Sequence, residues 1–337
     1  MTRVGNLYGP DYTFLGVPAG DPDDHATWSS AKAAIVGAPF DGGTSHRSGC
    51  RFGPQAMRSA DYLPSDGMRP SLALGVDGLV DLGVVDLGDV VMPSGDVELS
   101  LSRLEDRVTS VAKAGVIPIV LGGDHTIALS DVTGVARHVG WGRVSVIHFD
   151  AHADTGDSQM GSLYGHGTPM RRLIESGACR GDRFLQIGLR GYWPEPKTLD
   201  WMAEQGMRSF EMSEIVRRGL DEVLDEALAL AMVDCDAVFL SVDVDVVDPG
   251  SAPGTGTPEP GGLTSRQLLD AVRRIAMSVP VGGVDVVEVS PPYDHAEITA
   301  YLGNRVVLEA LGGIAWRQKN ERGDVVRNPN DPLLENR

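Results

Sequence analysis

The stretch that decides the fold is RVSVIHFDAHAD, residues 143–154. Its first half, Val144 to Ile147, has the β-branched character of a buried strand. Its second half sets His148, Asp150, His152 and Asp154 two residues apart. Side chains at that spacing on a strand share one side, so four ionisable groups crowd onto one face or converge at the strand's end. A buried carboxylate is costly without positive charge beside it. No Lys or Arg follows Asp150 until Arg171. The expected partner is therefore a metal ion.

Outward from this stretch, short apolar runs alternate with amphipathic ones. AAIVGAP (33–39), VIPIVLGG (116–123), RFLQIGLR (183–190), AVFLSVDVD (237–245) and GGVDVVEVS (282–290) read as further buried strands. Helical patterns lie between them at 101–115 and 221–232, and Thr264 with Gln267 forms a capping box before LLDAVRRIAM. Alternating β and α implies an α/β fold, three layers with a mostly parallel sheet covered by helices on both faces. Residues 1–30, rich in Gly, Pro and Asp, read as an irregular N-terminal arm. Residues 31–318 read as one catalytic domain, and 319–337 as a polar, loosely held C-terminal tail.

Bulk properties narrow the function. With 47 acidic against 29 basic residues the formal charge is −18, a surface that repels phosphate backbones and argues against nucleic acid. Three widely spaced cysteines, Cys50, Cys179 and Cys235, form no CxxC and suit a reducing compartment. No apolar run approaches the ~20 residues of a membrane span, and the N-terminus lacks an apolar signal core. The expectation is a cytoplasmic protein with no membrane partner.

The polar residues gather where ligand sites sit in open parallel sheets, at strand ends. IVLGG runs into Asp124 and His125, SVIHF into Asp150, His152 and Asp154, and FLSV into Asp243 and Asp245, while DVVEV carries Asp285 and Glu288. For any one Asp, a strand-end carboxylate bonded to loop backbone is the ordinary explanation. DAHAD together with DVD on separate strands makes that explanation weak. Six ligands exceed one tetrahedral site and suit two metals sharing carboxylates. The oxygen-rich set favours Mn²⁺, with Ni²⁺, Co²⁺ or Zn²⁺ allowed by the imidazoles.

These residues resemble the ureohydrolases, the family of arginase and agmatinase. The matching motifs are GGDHTI (122–127), HFDAHADTGD (148–157), GHGTP (165–169), SVDVDVVDPGSAPGTGTPEPGGL (241–263) and DVVEVSPPYD (285–294), in family order. DGGTSHRSGCRFGPQAMR (41–58) is similar to the agmatinase side. The resemblance implies an arginase-like fold, a trimer or hexamer, and two Mn²⁺ per subunit. His125 and Asp154 would hold one ion, His152 and Asp245 the other, with Asp150 and Asp243 bridging. His166 would shuttle a proton, Glu288 would pair with the substrate's guanidinium, and Thr257 would place a hydroxyl near it. His148 has no ligand role in the family and reads as a core or supporting histidine.

The implied reaction releases urea and an amine from a small guanidino substrate, agmatine being the first expectation. Guanidinobutyrase, guanidinopropionase and hydrolysis of guanidine or a substituted guanidine are the alternatives. Other classes are a single-zinc amide deacetylase, a metallophosphatase and a non-catalytic subunit of a hetero-oligomer. For the substrate's tail, Ser45, His46 and Arg47 are candidates at the entrance, as are Tyr192 and Trp193 after the strand ending at Arg190. Asp157 and Glu195 are weaker candidates for a distal ammonium. Cys50 reads as an inert filler, and Asp124 either orients His125 or serves a turn.

Overall fold

The computed structural model describes residues 6–61, 69–324 and 326–330. Eight strands form one sheet: β1 (Ala33–Gly37), β2 (Val85–Asp89), β3 (Ile117–Leu121), β4 (Val144–Phe149), β5 (Cys179–Leu189), β6 (Arg208–Glu211), β7 (Ala237–Asp243) and β8 (Val281–Val287). Their order is β2-β1-β3-β8-β7-β4-β5-β6, and every pairing is parallel. All strands therefore end at the same rim.

Among the described residues ten α-helices accompany the sheet. They are α1 (Gly53–Ser59), α2 (Gly78–Asp81), α3 (Val97–Lys113), α4 (Ala128–Val139), α5 (Pro169–Ser176), α6 (Pro196–Glu204), α7 (Met212–Arg218), α8 (Leu220–Ala231), α9 (Ser265–Ser278) and α10 (Ile298–Glu321). Period-two alternation divides the core. Ala34, Val36, Val120, Val146 and Phe239 pack with Leu104 and Val108 of α3 and Val132 and Val135 of α4. Ile35, Ile119, Ile147, Leu240 and Val284 face the other way, onto Val223 of α8, Leu268 and Val272 of α9, and Val306 and Val307 of α10. These are the three layers read from the sequence, and the sheet is parallel throughout.

Helix boundaries follow their caps. The helix expected at 101–115 begins at Val97, because the Asp96 side chain accepts the Leu99 N–H at 3.0 Å. Thr264 accepts the Gln267 N–H at 3.2 Å, and Gln267 Oε1 accepts the Thr264 N–H at 2.9 Å, the reciprocal pair read from the sequence. Replacing Thr264 by Ala should lower unfolding stability by about 1 kcal/mol. An unchanged denaturant midpoint would show that α9 is held by packing alone.

Two strands escaped the sequence reading, and both are edges. β2 (VDLGD) carries two acids and a glycine, yet is fully buried, because Arg58 of α1 neutralises it. The guanidinium meets Asp86 at 2.9 and 3.0 Å and Asp89 at 2.5 Å. The same acids hold the arm: Phe14 N–H donates to Asp86 at 2.8 Å and Leu7 N–H to Asp89 at 2.9 Å. Gly20 N–H donates to the Asp86 carbonyl at 2.9 Å, so the arm covers the exposed edge of β2. At the other terminus α10 continues to Glu321, past the expected boundary at 318. Beyond it, the Arg327 carbonyl accepts Trp316 Nε1–H at 2.8 Å and the Arg327 guanidinium donates to the Ala73 carbonyl at 2.9 Å. The expected tail residues 331–337 and the first five arm residues lie outside the described set. Among the described residues no helix is long and apolar enough to cross a membrane.

Candidate metal centre

The four central strands, β3, β8, β7 and β4, each end in a residue singled out above. β3 and β4 are consecutive in the chain yet separated in the sheet by β8 and β7. Such a break opens a crevice at the strands' carboxyl ends. A Cβ on Gly123 would sit 1.8 Å from the Phe40 carbonyl oxygen, so the chain after β1 closes over the end of β3 only because that position is glycine. His125 follows at once, buried.

Three carboxylates surround His125 Nδ1: Asp150 at 3.0 Å, Asp154 at 3.1 Å and Asp243 at 3.3 Å. His152 Nδ1 lies 3.0 Å from Asp245 and 3.4 Å from Asp150. Asp150 meets the two histidines through different oxygens, Oδ2 toward His125 and Oδ1 toward His152. Asp243 contacts His125, and its Oδ1 accepts the Asp245 N–H at 2.8 Å. The structure thus brings together the six residues expected to ligate metal. His148, assigned no ligand role above, stands beside them with Nε2 2.9 Å from Asp150 Oδ2. Among the described residues two clusters have the geometry to hold a cation, His125–His148–Asp150–Asp154 and Asp150–His152–Asp245.

Burial explains the electrostatics. It pushes the carboxyls of Asp154, Asp243 and Asp245 above their ordinary range, and neighbouring acids add to this at each. Burial also disfavours protonated His125 and His152, but the carboxylates around them outweigh it and raise both well above the usual histidine value. Asp150 is the exception. Burial opposes its charge, yet His148, His125 and His152 hold it well below the carboxylate range. The centre is therefore a buried excess of negative charge that draws positive charge to itself.

Ser241 supports the first cluster and was not foreseen. His148, Ser241 and Asp285 are level across β4, β7 and β8, and Ser241 Oγ lies 2.9 Å from His125 Nε2. Its signal was its place two residues before Asp243 on one strand, which gives both side chains the same face.

Glu288 leaves β8 in a left-handed conformation (φ 63°), as does Asp154 (φ 53°) after β4. Its Oε1 accepts the His125 backbone N–H at 2.9 Å and faces His166 Nδ1 at 2.9 Å, and its Oε2 lies 3.1 Å from Cys50 Sγ. Cys50 is thus a neighbour of the acid, and burial followed by Glu288 raises its thiol pKa well above the ordinary value. Burial opposes a charged His166, whereas Glu288 outweighs burial and lifts it to about 9. At neutral pH the ring is therefore charged, with its Nδ1–H toward Glu288. Ser45 approaches the other ring nitrogen, Nε2, with its backbone N at 3.1 Å and its hydroxyl at 2.6 Å.

Asp124 pins the 41–50 loop that carries Ser45. It accepts Gly43 N–H at 2.7 Å and Thr126 N–H at 3.0 Å. It is a turn carboxylate rather than a partner of the His125 ring. Above the cluster lies a cavity of about 240 Å³ whose lining includes Ser45, Ser158, Gln159, His166, Trp193, Thr257 and Glu288. Thr257 Oγ1 is 3.4 Å from Asp245 Oδ2. Tyr192 is fully exposed and Arg47 lies over the Tyr293 ring at 5.1 Å, so neither joins that lining.

Residues 31–312 match the arginase family model. The chain belongs to the arginase family. Proclavaminate amidinohydrolase from Streptomyces clavuligerus is 37% identical over 319 residues, 92% of this chain and 96% of that protein. Its solved structure superposes with a TM-score of 0.82, covering 92% of this chain and 99% of that one. Guanidinobutyrase from Pseudomonas aeruginosa is 38% identical, covering 83% of this chain and 85% of that protein. Agmatinase from Bacillus subtilis is 34% identical, covering 85% and 93%. As an arginase-family protein the chain is a hydrolase of carbon–nitrogen bonds in linear amidines, with small guanidino compounds as its substrate class.

Proposed function

We propose that this chain is a binuclear-metal ureohydrolase that converts a small guanidino compound to urea and a free amine. The observation that carries the reading is Asp150, one oxygen turned to His125 and the other to His152. That is the disposition of a carboxylate shared by two cations. His125 and Asp154 would help hold one ion and His152 and Asp245 the other, with Asp243, 3.3 Å from His125, as a further carboxylate available to both. The residues fit such ions: His125 Nδ1 and Asp150 Oδ2 are buried without a well-directed hydrogen bond, and four carboxylates converge with no ion pair to a Lys or Arg among the described residues. Oxygen-rich ligation favours Mn²⁺, with Ni²⁺ or Co²⁺ as alternatives.

When bound, such a metal pair lowers the pKa of a shared water toward ~7 and supplies the nucleophile. The protein's own residues do the rest. Glu288 presents its carboxylate to the cavity to hold a planar guanidinium by charge-assisted hydrogen bonds. Oε1 already takes two donors and Oε2 one, so Oε2 offers the free lone pair. A guanidinium that also engages Oε1 displaces the charged His166 ring, which can then give its Nδ1 proton to the departing amine and become a neutral imidazole. Thr257 offers a hydroxyl at the same wall.

Agmatine was the substrate expected from the sequence. The agmatinase among the relatives supports it, and the guanidinobutyrase supports the guanidino-acid alternative. Three free, buried cysteines agree with a reducing, cytoplasmic setting. A homo-oligomer, trimer or hexamer, goes with the family reading. The complete ligand set together with His166 and Glu288 weighs against a non-catalytic subunit. The purified, Mn²⁺-loaded chain should release urea from at least one of agmatine, 4-guanidinobutyrate, arginine and guanidine, and lose that activity on chelation. Urea release that survives full removal of metal, or no release with either Mn²⁺ or Ni²⁺, would overturn the proposal.

A further inference from the structure

The outer half of the cavity has a definite chemistry. Beyond Glu288, His152, His166 and the acidic cluster, its lining among the described residues is Ser45, Ser158, Gln159, Gly167, Trp193 and Thr257, without a further Lys, Arg, Asp or Glu. The nearby charges are engaged elsewhere. Arg190 donates to the carbonyls of Asp245 at 2.7 Å and Glu259 at 2.6 Å, and also to those of Gly188, Val246 and Pro260. Arg47 stacks on Tyr293 at 5.1 Å. Asp157 is paired with Arg171 at 3.4 Å and Arg172 at 3.6 Å. Glu195 accepts the Thr198 hydroxyl at 2.8 Å, and Glu259 stands against Gly191, outside the lining.

A substrate's tail entering this space meets hydroxyls, an amide and an indole. A carboxylate tail would find no cation there beyond His152 and His166, which their own carboxylate partners hold, and an ammonium tail no acid beyond those that serve the reaction centre. Stripping water from an unpaired charge is costly, whereas an alkyl group against Trp193 gains from burial. The volume, about 240 Å³, falls below the ~300–1,000 Å³ of pockets for drug-sized ligands.

Resting on the ureohydrolase reading above, we propose that this site takes guanidines whose substituent is absent or short, compact and uncharged. The ammonium- and carboxylate-tailed guanidines are then poor substrates. Trp193 is the residue that selects for the alkyl substituent, by covering it.

The test compares kcat/KM for urea release by the full, metal-loaded chain with guanidine, methylguanidine, propylguanidine, agmatine and 4-guanidinobutyrate. The expected result is at least a tenfold advantage of the best uncharged-tail substrate over both charged-tail ones. In the Trp193→Ala variant, the ratio of propylguanidine to guanidine in kcat/KM should fall severalfold. Agmatine or 4-guanidinobutyrate matching or exceeding the uncharged set would overturn this inference and leave the ureohydrolase reading standing. An unchanged ratio in Trp193→Ala would remove the role given to the indole. No urea from any member of the panel would overturn both readings together.

Discussion

Replacing Asp150 by Asn should strip the protein of metal and of activity together. The substitution keeps the shape of the side chain but turns one charged oxygen into an amide nitrogen that cannot ligate. Asp150 reaches His125 at 3.0 Å and His152 at 3.4 Å through separate oxygens, so whichever atom becomes nitrogen, one of the two sites loses a ligand. If the shared carboxylate sustains several kcal/mol of transition-state stabilisation through the metals, turnover falls by about 10³-fold or more. Elemental analysis of the isolated variant should find fewer than two ions per chain. Full occupancy with full activity would mean that the two clusters do not depend on this residue. Because Asp150 is buried among histidines, the variant should be compared with the parent at matched fold by circular dichroism.

Arg58→Ala should be the most destabilising single change away from the site. The guanidinium is fully buried between Asp86 and Asp89, which are buried as well. Removing it leaves two buried carboxylates without their cation, a loss of about 3–5 kcal/mol. Arg58→Met should do no better, since the packing it restores leaves both acids uncompensated. The arm should loosen with it, because Leu7 and Phe14 are tied to the same two carboxylates. Denaturant unfolding at neutral pH measures the first effect, and hydrogen exchange at Phe14 and Gly20 the second. A loss below about 1 kcal/mol would show that the acids are satisfied by the arm's backbone alone.

The inner strands were legible because they are covered on both faces, and such strands read as unbroken apolar runs. β2 and β6 were not, for different reasons. VDLGD looks like a loop until Arg58, 28 and 31 residues away in sequence, is placed against it. RSFE is four residues long, and its Arg208 is drawn into ion pairs with Glu214 at 2.6 Å and Glu226 at 2.9 Å. At the site, alternate spacing named the residues that converge, since period two fixes which side chains share a face. It could not reveal Cys50 beside Glu288 or Ser45 on His166, as both depend on how the 41–50 loop folds back over the rim. Tyr192 and Trp193 are adjacent in sequence, yet only Trp193 reaches the cavity, because the turn there directs one ring inward and the other to solvent.

The left-handed backbone at Asp154 and Glu288 sets durability against chemistry. Each position asks for glycine on conformational grounds, and neither can become glycine without deleting a carboxylate that the proposed reaction uses. At these two positions a more relaxed backbone therefore comes only with the loss of a site carboxylate. Selection for heat tolerance alone would reward the wrong residue at both places.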